Sequence, residues 1–280
     1  MYLVLKAEYT VINEEEFIIS HLFEELHRSI KVSSKIDKEL LVQKLLYGFS
    51  MPKDKKALSQ EEKLMIMLSK QLEELIFLTE DESDYRREVN IRGVLLAAKK
   101  SGVEHSIIKD YYDTFHDQKV YTLDDNQELI TYFKREGLSQ IIPTSRENIA
   151  SIHRGSILLI NEKNLPYVQS VKDNKYLVYS LDKLRLGPLL VPGTTICLKC
   201  YYNNYTLINN VENGYPIYYR NFILNFLVNT VYFCLNDLHK SLGTDVGLPI
   251  RKCYQLANPQ LSVSVMNIYK TSDCSLCFQL

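Results

Sequence analysis

LRLGPLLVPGTTICLKCYYNN, residues 184–204, is the stretch on which the fold turns. Gly187-Pro188 and Pro192-Gly193 are turn-forming dipeptides, and they set a short apolar segment, 189–191, between two turns. Directly after them Cys197 and Cys200 form a C-x-x-C pair, CLKC. A second pair, Cys274 and Cys277, stands in CSLC, with 73 residues between the two pairs. Paired cysteines of a reducing compartment suit a metal better than a disulfide. Two such pairs supply four thiolates of a closed tetrahedral zinc site, with no position left for water or substrate. The long separation means that the metal would tie together two distant parts of one fold. Two redox-active or unrelated pairs are the alternative. Cys234 and Cys253 have no motif around them and read as small buried residues.

Around this stretch, helix-like and strand-like segments alternate, which points to an α/β domain. GVLLAAKKSG (93–102) and 127–135 read as helices, and 105–108 and 140–142 as short strands. SILLI (156–160) and YLVYSL (176–181) are continuous apolar runs, as buried strands of a parallel sheet would be. A long helix is expected over 218–239, with Asn225, Asn229 and Asn236 along one stripe, and two antiparallel strands over 251–270.

The first part of the chain has another character. Residues 1–84 carry 17 acidic and 11 basic residues, while the rest carries 17 and 22. Strands are expected at 2–6, 9–12 and 17–22, and Leu26, Ile30 and Val32 belong to a further strand or connecting piece. A helix follows over 34–47, stopped at Gly48. A second opens on Ser59 and Glu62, the S-x-x-E of a capping box, and turns Leu64, Met67, Leu68, Leu72 and Leu75 inward. Strands followed by helices at this size resemble a winged helix-turn-helix. TEDESDYRRE (79–88) reads as a linker, so the expected division is 1–84 and 85–280.

Several functions are disfavoured. The formal net charge of -1 gives no general signature for nucleic acid or membrane. The most apolar stretch, 222–235, is too short for a span of about 20 residues. The N-terminus lacks the features of a targeting segment, so the expectation is a cytoplasmic protein. A nucleotide fold needs glycines where its first strand meets its first helix. At the place taken for that junction, EVNIRGVLLAAKKSG, Gly93 stands alone, and no G-x-G-x-x-G or P-loop occurs. The six histidines form no H-x-x-x-H or H-E-x-x-H pair, no G-x-S-x-G occurs, and Asp124 and Asp125 read as loop residues.

The order Gly-Pro, Pro-Gly, C-x-x-C with a terminal CSLC resembles the ThiF-like partner proteins of thiazole/oxazole-modified peptide biosynthesis. It is similar both to the short microcin-type McbB family and to the partner proteins of thiopeptide pathways. The resemblance implies an N-terminal winged-helix element that recognises a precursor peptide. It also implies a degenerate ThiF-like α/β domain, similar in fold to ubiquitin-activating enzymes, with structural Zn²⁺ on Cys197, Cys200, Cys274 and Cys277. In such an element an extended peptide adds to a sheet edge. Here that edge would be 17–20 or 28–32, facing the helix 61–75. The peptide-contact candidates are therefore Phe17, Ile19, Arg28, Ile30, Val32, Lys63, Met67 and Lys70. The implied partners are a leader peptide, a YcaO-type cyclodehydratase and a flavin-dependent dehydrogenase, with room for a homodimer and without nucleic acid or membrane. The missing glycines depart from adenylating relatives and favour a non-catalytic subunit. A ThiF-like adenylating enzyme and a winged-helix DNA-binding regulator are the alternatives. The acidic first segment speaks against the second, because DNA affinity comes largely from cationic contacts.

Overall fold

A computed structural model describes residues 1–13, 16–52, 55–123, 126–153, 155–168, 174–191, 195–205, 217–242, 248–257, 262–270 and 274. The chain divides into two units, Met1–Asp113 with Lys134–Ser139, and Thr114–Phe133 with Gln140–Leu280.

The first unit begins with β1 (Tyr2–Leu5), β2 (Tyr9–Asn13), β3 (Ile18–His21) and β4 (His27–Ser29). Then come α1 (Lys38–Tyr47), β5 (Phe49–Ser50), α2 (Gln60–Gln71), β6 (Ile76–Thr79), α3 (Glu82–Lys100) and α4 (His105–Thr114). Two small antiparallel sheets result, ordered β5-β1-β6 and β2-β3-β4. Their core joins Leu3, Leu5, Phe17 and Ile19 to Leu41, Leu45, Met65 and Leu68 of α1 and α2. Asp37 caps α1 by accepting from the Leu40 N–H at 3.0 Å. The capping box of α2 is present in both directions, with Ser59 and Glu62 each accepting the other's backbone N–H.

Three expectations are corrected here. The stretch 79–88 is no linker: it ends β6 and forms the first turns of α3, so the division expected after residue 84 falls inside a helix. That helix is fastened to the strands by polar groups. Glu88 accepts the Ala7 N–H at 2.8 Å, and the buried Arg92 donates to the carbonyls of Leu5 and Leu46. The first unit accordingly runs on to Asp113. Residues 105–108, expected as a strand, open α4, with Ile108 and Tyr111 on its buried face. Met67, expected inward, is 46% exposed, while Met65 is fully buried. The other four hold: Leu68 and Leu75 are buried, and Leu64 and Leu72 pack partly against the core, which α2 also meets through Glu61 and Met65.

The second unit holds β7 (Val120–Thr122), α5 (Gln127–Arg135, whose last two residues fall to the first unit), β8 (Ile141–Pro143), β9 (Ile157–Asn161) and β10 (Lys175–Ser180). It continues with β11 (Arg185–Leu190), α6 (Leu198–Tyr205), α7 (Ile217–Cys234), β12 (Lys252–Ala257) and β13 (Ser262–Asn267). One mixed seven-stranded sheet runs in the order β13-β12-β11-β10-β9-β7-β8. Strands β8, β7, β9 and β10 are parallel and the others antiparallel. The residues of β9 and β10 are buried throughout, as the two apolar runs require.

Gly187-Pro188 lies within β11 rather than at a turn, with a cis peptide bond between them. Gly187 has φ +93°, and a Cβ there would collide with the Lys252 carbonyl and with Pro249. Pro192 and Gly193 lie outside the described residues. The long helix stops at Cys234, short of 239, because Asn236 and Asp237 adopt left-handed φ of 47° and 58°. The Lys175 ammonium holds this end by donating to the Cys234 carbonyl and to Asp237, both at 2.8 Å. Among the described residues no helix is long and apolar enough to cross a membrane.

Candidate functional site

The cysteines of the second unit converge. Cys197 stands just before α6 and Cys200 in its first turn, a spacing that puts both thiols on one side of the helix start. The approach is fixed by Thr195, whose hydroxyl accepts the Val191 N–H at 2.8 Å while its own N–H donates to the Val191 carbonyl. Cys274 arrives from the other end of the chain. The β12–β13 hairpin carries it there, with Ile268 buried and its N–H donating to the Arg251 carbonyl at 2.8 Å. The Sγ atoms of Cys197, Cys200 and Cys274 all lie within 4.8 Å of one another. The Cys197–Cys274 separation is 3.8 Å, far beyond a disulfide bond. It matches the edge of about 3.8 Å between two thiolates at roughly 2.3 Å from one tetrahedral metal ion. Cys277 lies outside the described residues. Cys253, packed in the same core cluster, is not part of the group: burial pushes its thiol up to about 12, so it stays neutral. Cys234 behaves alike, its burial also pushing it up to about 12.

At the other end of the same sheet is a crevice of about 650 Å³. It opens at the carboxyl ends of β7, β8 and β9, where the strand order reverses, the usual ligand position in an open α/β sheet. Thr144, Ser145 and Arg146 line it from the loop after β8, and Lys163 and Asn164 from the turn after β9. This also relocates the glycine question. Gly93 is a mid-helix residue of α3, with open space around it. The first strand-to-helix junction of the parallel sheet is instead β7 to α5, residues 123–126, Leu-Asp-Asp-Asn, again without glycine. Asn126 there accepts the N–H groups of Glu128 and Leu129 at 3.0 and 3.4 Å, occupying helix-start donors that a phosphate would use. Composition marked none of the crevice residues, because serines, threonines and single cations in loops are common everywhere.

The peptide-contact candidates fall into two groups. Phe17 and Ile19 are each 1% exposed, and β3 is bonded on both sides, to β2 and to β4. The 17–20 segment therefore offers no edge. β4, by contrast, is the outer strand of its sheet among the described residues. Its bonded pairs with β3 include His21 N–H to Leu26 and Ile30 N–H to Phe17. By the alternation of an antiparallel ladder, the N–H and C=O of His27 and Ser29 point away from the sheet. Ile30 and Val32 pack partly against the core. Arg28 is exposed and pairs with Glu74 at 3.5 Å, which links β4 to the turn following α2. Lys63, Met67 and Lys70 form one exposed stripe of α2, at helical spacing.

No known family profile matches the chain, and no curated protein matches it in sequence. Among solved structures it is similar to E. coli MccB with AMPCPP and selenomethionine MccA, at 12% identity and a TM-score of 0.45, with 99% of each chain covered. It is also similar to the heterocyclase TruD, at 14% identity and a TM-score of 0.44, over 98% of this chain and 42% of that one. A heterocyclase in complex with substrate and cofactor is similar at 14% identity and a TM-score of 0.43, over 98% and 39%.

Proposed function

We propose that this chain is a zinc-stabilised, non-catalytic subunit that binds the leader of a ribosomally made precursor peptide. A YcaO-type cyclodehydratase and a flavin-dependent dehydrogenase would then convert residues of that peptide to azoles. The observation that carries the reading is the open edge of β4. Its outward backbone groups at His27 and Ser29 stand in a sheet tied by Arg28 and Glu74 to the end of α2, whose exposed stripe ends on Met67 and Lys70. An extended peptide adding there gains main-chain hydrogen bonds, and side-chain pockets give specificity. The winged-helix element would then run from β1 to β6, with α3 as its support. The motif order around Cys197 and Cys200 supports the pathway.

Zinc suits a set of thiolates better than a hard cation does. Cys197, Cys200 and Cys274 would hold it, with Cys277 as fourth ligand. A site of four thiolates is closed, so the metal would supply structure by pinning the β12–β13 hairpin to the start of α6.

Titration of the leader into the full chain tests the function. We expect saturable binding that weakens at least tenfold in Ser29→Pro, which removes an outward N–H, and in Met67→Asp. Binding unchanged in both variants would remove the β4 edge from the account. The crevice at β7–β9 favours one second reading, an adenylating enzyme. ATP–pyrophosphate exchange by the purified chain, lost on Arg146→Ala and Lys163→Ala, would establish it; the capped start of α5 leads us to expect none.

A further inference from the structure

The stretch around β4 has a charge of its own. HRSIKVSSKI, residues 27–36, holds Arg28, Lys31 and Lys35 and no carboxylate, inside a segment, 1–84, of 17 acidic and 11 basic residues. All three cations are exposed. The acids of the elements that follow are engaged elsewhere. Asp37 accepts from the Leu40 N–H, Glu61 accepts the Asp37 N–H at 3.1 Å, and Glu62 holds the Lys44 ammonium at 2.6 Å. Lys70 and Glu73, exposed at the end of α2, offset each other in charge. Among the described residues, Glu74 is the carboxylate that reaches Arg28, at 3.5 Å with both side chains about half exposed. An exposed pair of this kind contributes little, so another carboxylate can take its place.

The ladder sets which side chains surround Arg28. Ile19 lies opposite Arg28, and His21 and Phe17 are bonded to Leu26 and Ile30. Phe17 and Ile19 belong to the core. Side chains alternate between the faces of a strand, so Leu26, Arg28 and Ile30 share the core face, and His27 and Ser29 share the other. Leu26 is 39% exposed and Ile30 is partly buried against the core. Apolar surface therefore flanks the Arg28 guanidinium on each side. With the N–H and C=O of His27 and Ser29 pointing outward, Arg28 takes a non-bonded position of the outer ladder, where opposed side chains lie nearest. A strand added there sets one residue directly opposite Arg28, and the residues two positions before and after it opposite Leu26 and Ile30.

We propose that the peptide segment bound at β4 carries an acidic residue opposite Arg28, with an apolar residue two positions away on each side. The inference rests on the leader-binding reading above and adds the side-chain chemistry that selects the leader. Main-chain bonding at His27 and Ser29 accepts any extended sequence, so selection has to come from side chains. A carboxylate opposite Arg28 forms a cross-strand ion pair and displaces Glu74, while its apolar neighbours cover Leu26 and Ile30. A lysine or arginine at the same position would meet Arg28 head on, and like charges directly opposite are destabilising. Arg28 thus rejects basic segments as well as selecting acidic ones. Glu74 is the placeholder, competing with the peptide for the guanidinium.

A displayed library of short random peptides, selected on the immobilised full chain, tests this. We expect enrichment of apolar-x-acidic-x-apolar sequences, and enrichment of a central lysine or arginine on Arg28→Glu. Two synthetic peptides then separate the claims, a selected sequence with its central Glu and the same sequence with Gln there. Wild type should prefer the Glu peptide by about fivefold, and Arg28→Gln should show no preference. Glu74→Gln should tighten the Glu peptide alone, by about threefold. Both positions are exposed, so circular dichroism should be unchanged in the variants. Selected peptides that slow amide exchange at His27 and Ser29 without an acidic preference would overturn the proposal and leave the β4 edge standing. Peptides that bind without slowing it, or a selection that yields no binder, would overturn both. A mixed-sequence DNA duplex that displaces the Glu peptide from wild type but binds Arg28→Glu poorly would overturn the proposal in favour of phosphate at Arg28.

Discussion

Two residue-level arrangements in the second unit make quantitative demands. Cys197, Cys200 and Cys274 are drawn together from positions 77 and 74 residues apart, and three clustered thiolates without a cation would repel. On the proposed zinc reading, metal binding and local folding would be one event. Cys200→Ser and Cys274→Ser should each abolish zinc in elemental analysis of freshly purified protein and lower the melting temperature markedly. Wild-type protein with one metal per chain, and both variants equally stable without it, would show that the metal is incidental.

The second arrangement surrounds Lys175, and His239 is its sensitive member. His239 is 5% exposed, and among the described residues neither ring nitrogen has a hydrogen-bond partner. Burial first, and then the charge of Lys175, depress its pKa to about 4. The folded state therefore keeps this imidazole neutral, while the unfolded chain protonates it below about 6.5. Stability should be fully present above pH 6.5 and fall as pH drops towards 4, by about 3 kcal/mol. Asp237 adds to the loss at lower pH. Burial pushes it up, but the Lys175 and Lys240 ammonium groups outweigh that and hold it at about 2. Its contribution thus disappears between about pH 4 and 2. Denaturant unfolding at a series of pH values should show the upper limb, and His239→Leu should flatten it between 6.5 and 4.

Elements differ in how plainly the sequence announces them. α2 is legible because Ser59 and Glu62 state its start chemically; Ser59→Ala should cost about 1 kcal/mol in unfolding experiments. The buried runs in β9 and β10 are legible because strands covered on both faces have no reason to alternate. α3 is hidden. Its first turns are held by charged pairs, Arg86 with Glu82 at 2.8 Å and Arg87 with Asp84 at 2.7 Å. Its buried side includes Glu88 and Arg92, whose partners are backbone groups of strands distant in sequence. No local pattern could distinguish this from a polar linker. Residues 105–108 mislead for the opposite reason, since a short apolar run suits a strand or one face of a helix equally. Gly187-Pro188 reads as a turn because the close approach that demands the glycine comes from Pro249 and Lys252.

On the scale of the whole chain, the link between the first cysteine pair and Cys274 and a two-part organisation were legible in the sequence, while the site of division and the choice between the 17–20 and 28–32 edges were not. Both depend on pairings between distant segments: α3 with β1, and β3 between β2 and β4. A fragment ending at residue 84 loses most of α3 and should be largely unfolded by circular dichroism, although β2, β3 and β4 are all within it. The central claim, that a precursor leader adds to β4, is best tested in the intact protein by amide hydrogen exchange with and without the leader peptide. The account predicts slowed exchange at His27 and Ser29, whose N–H groups point out of the sheet, with exchange through β3 unchanged. Protection that leaves His27 and Ser29 untouched and appears instead in the second unit would contradict it.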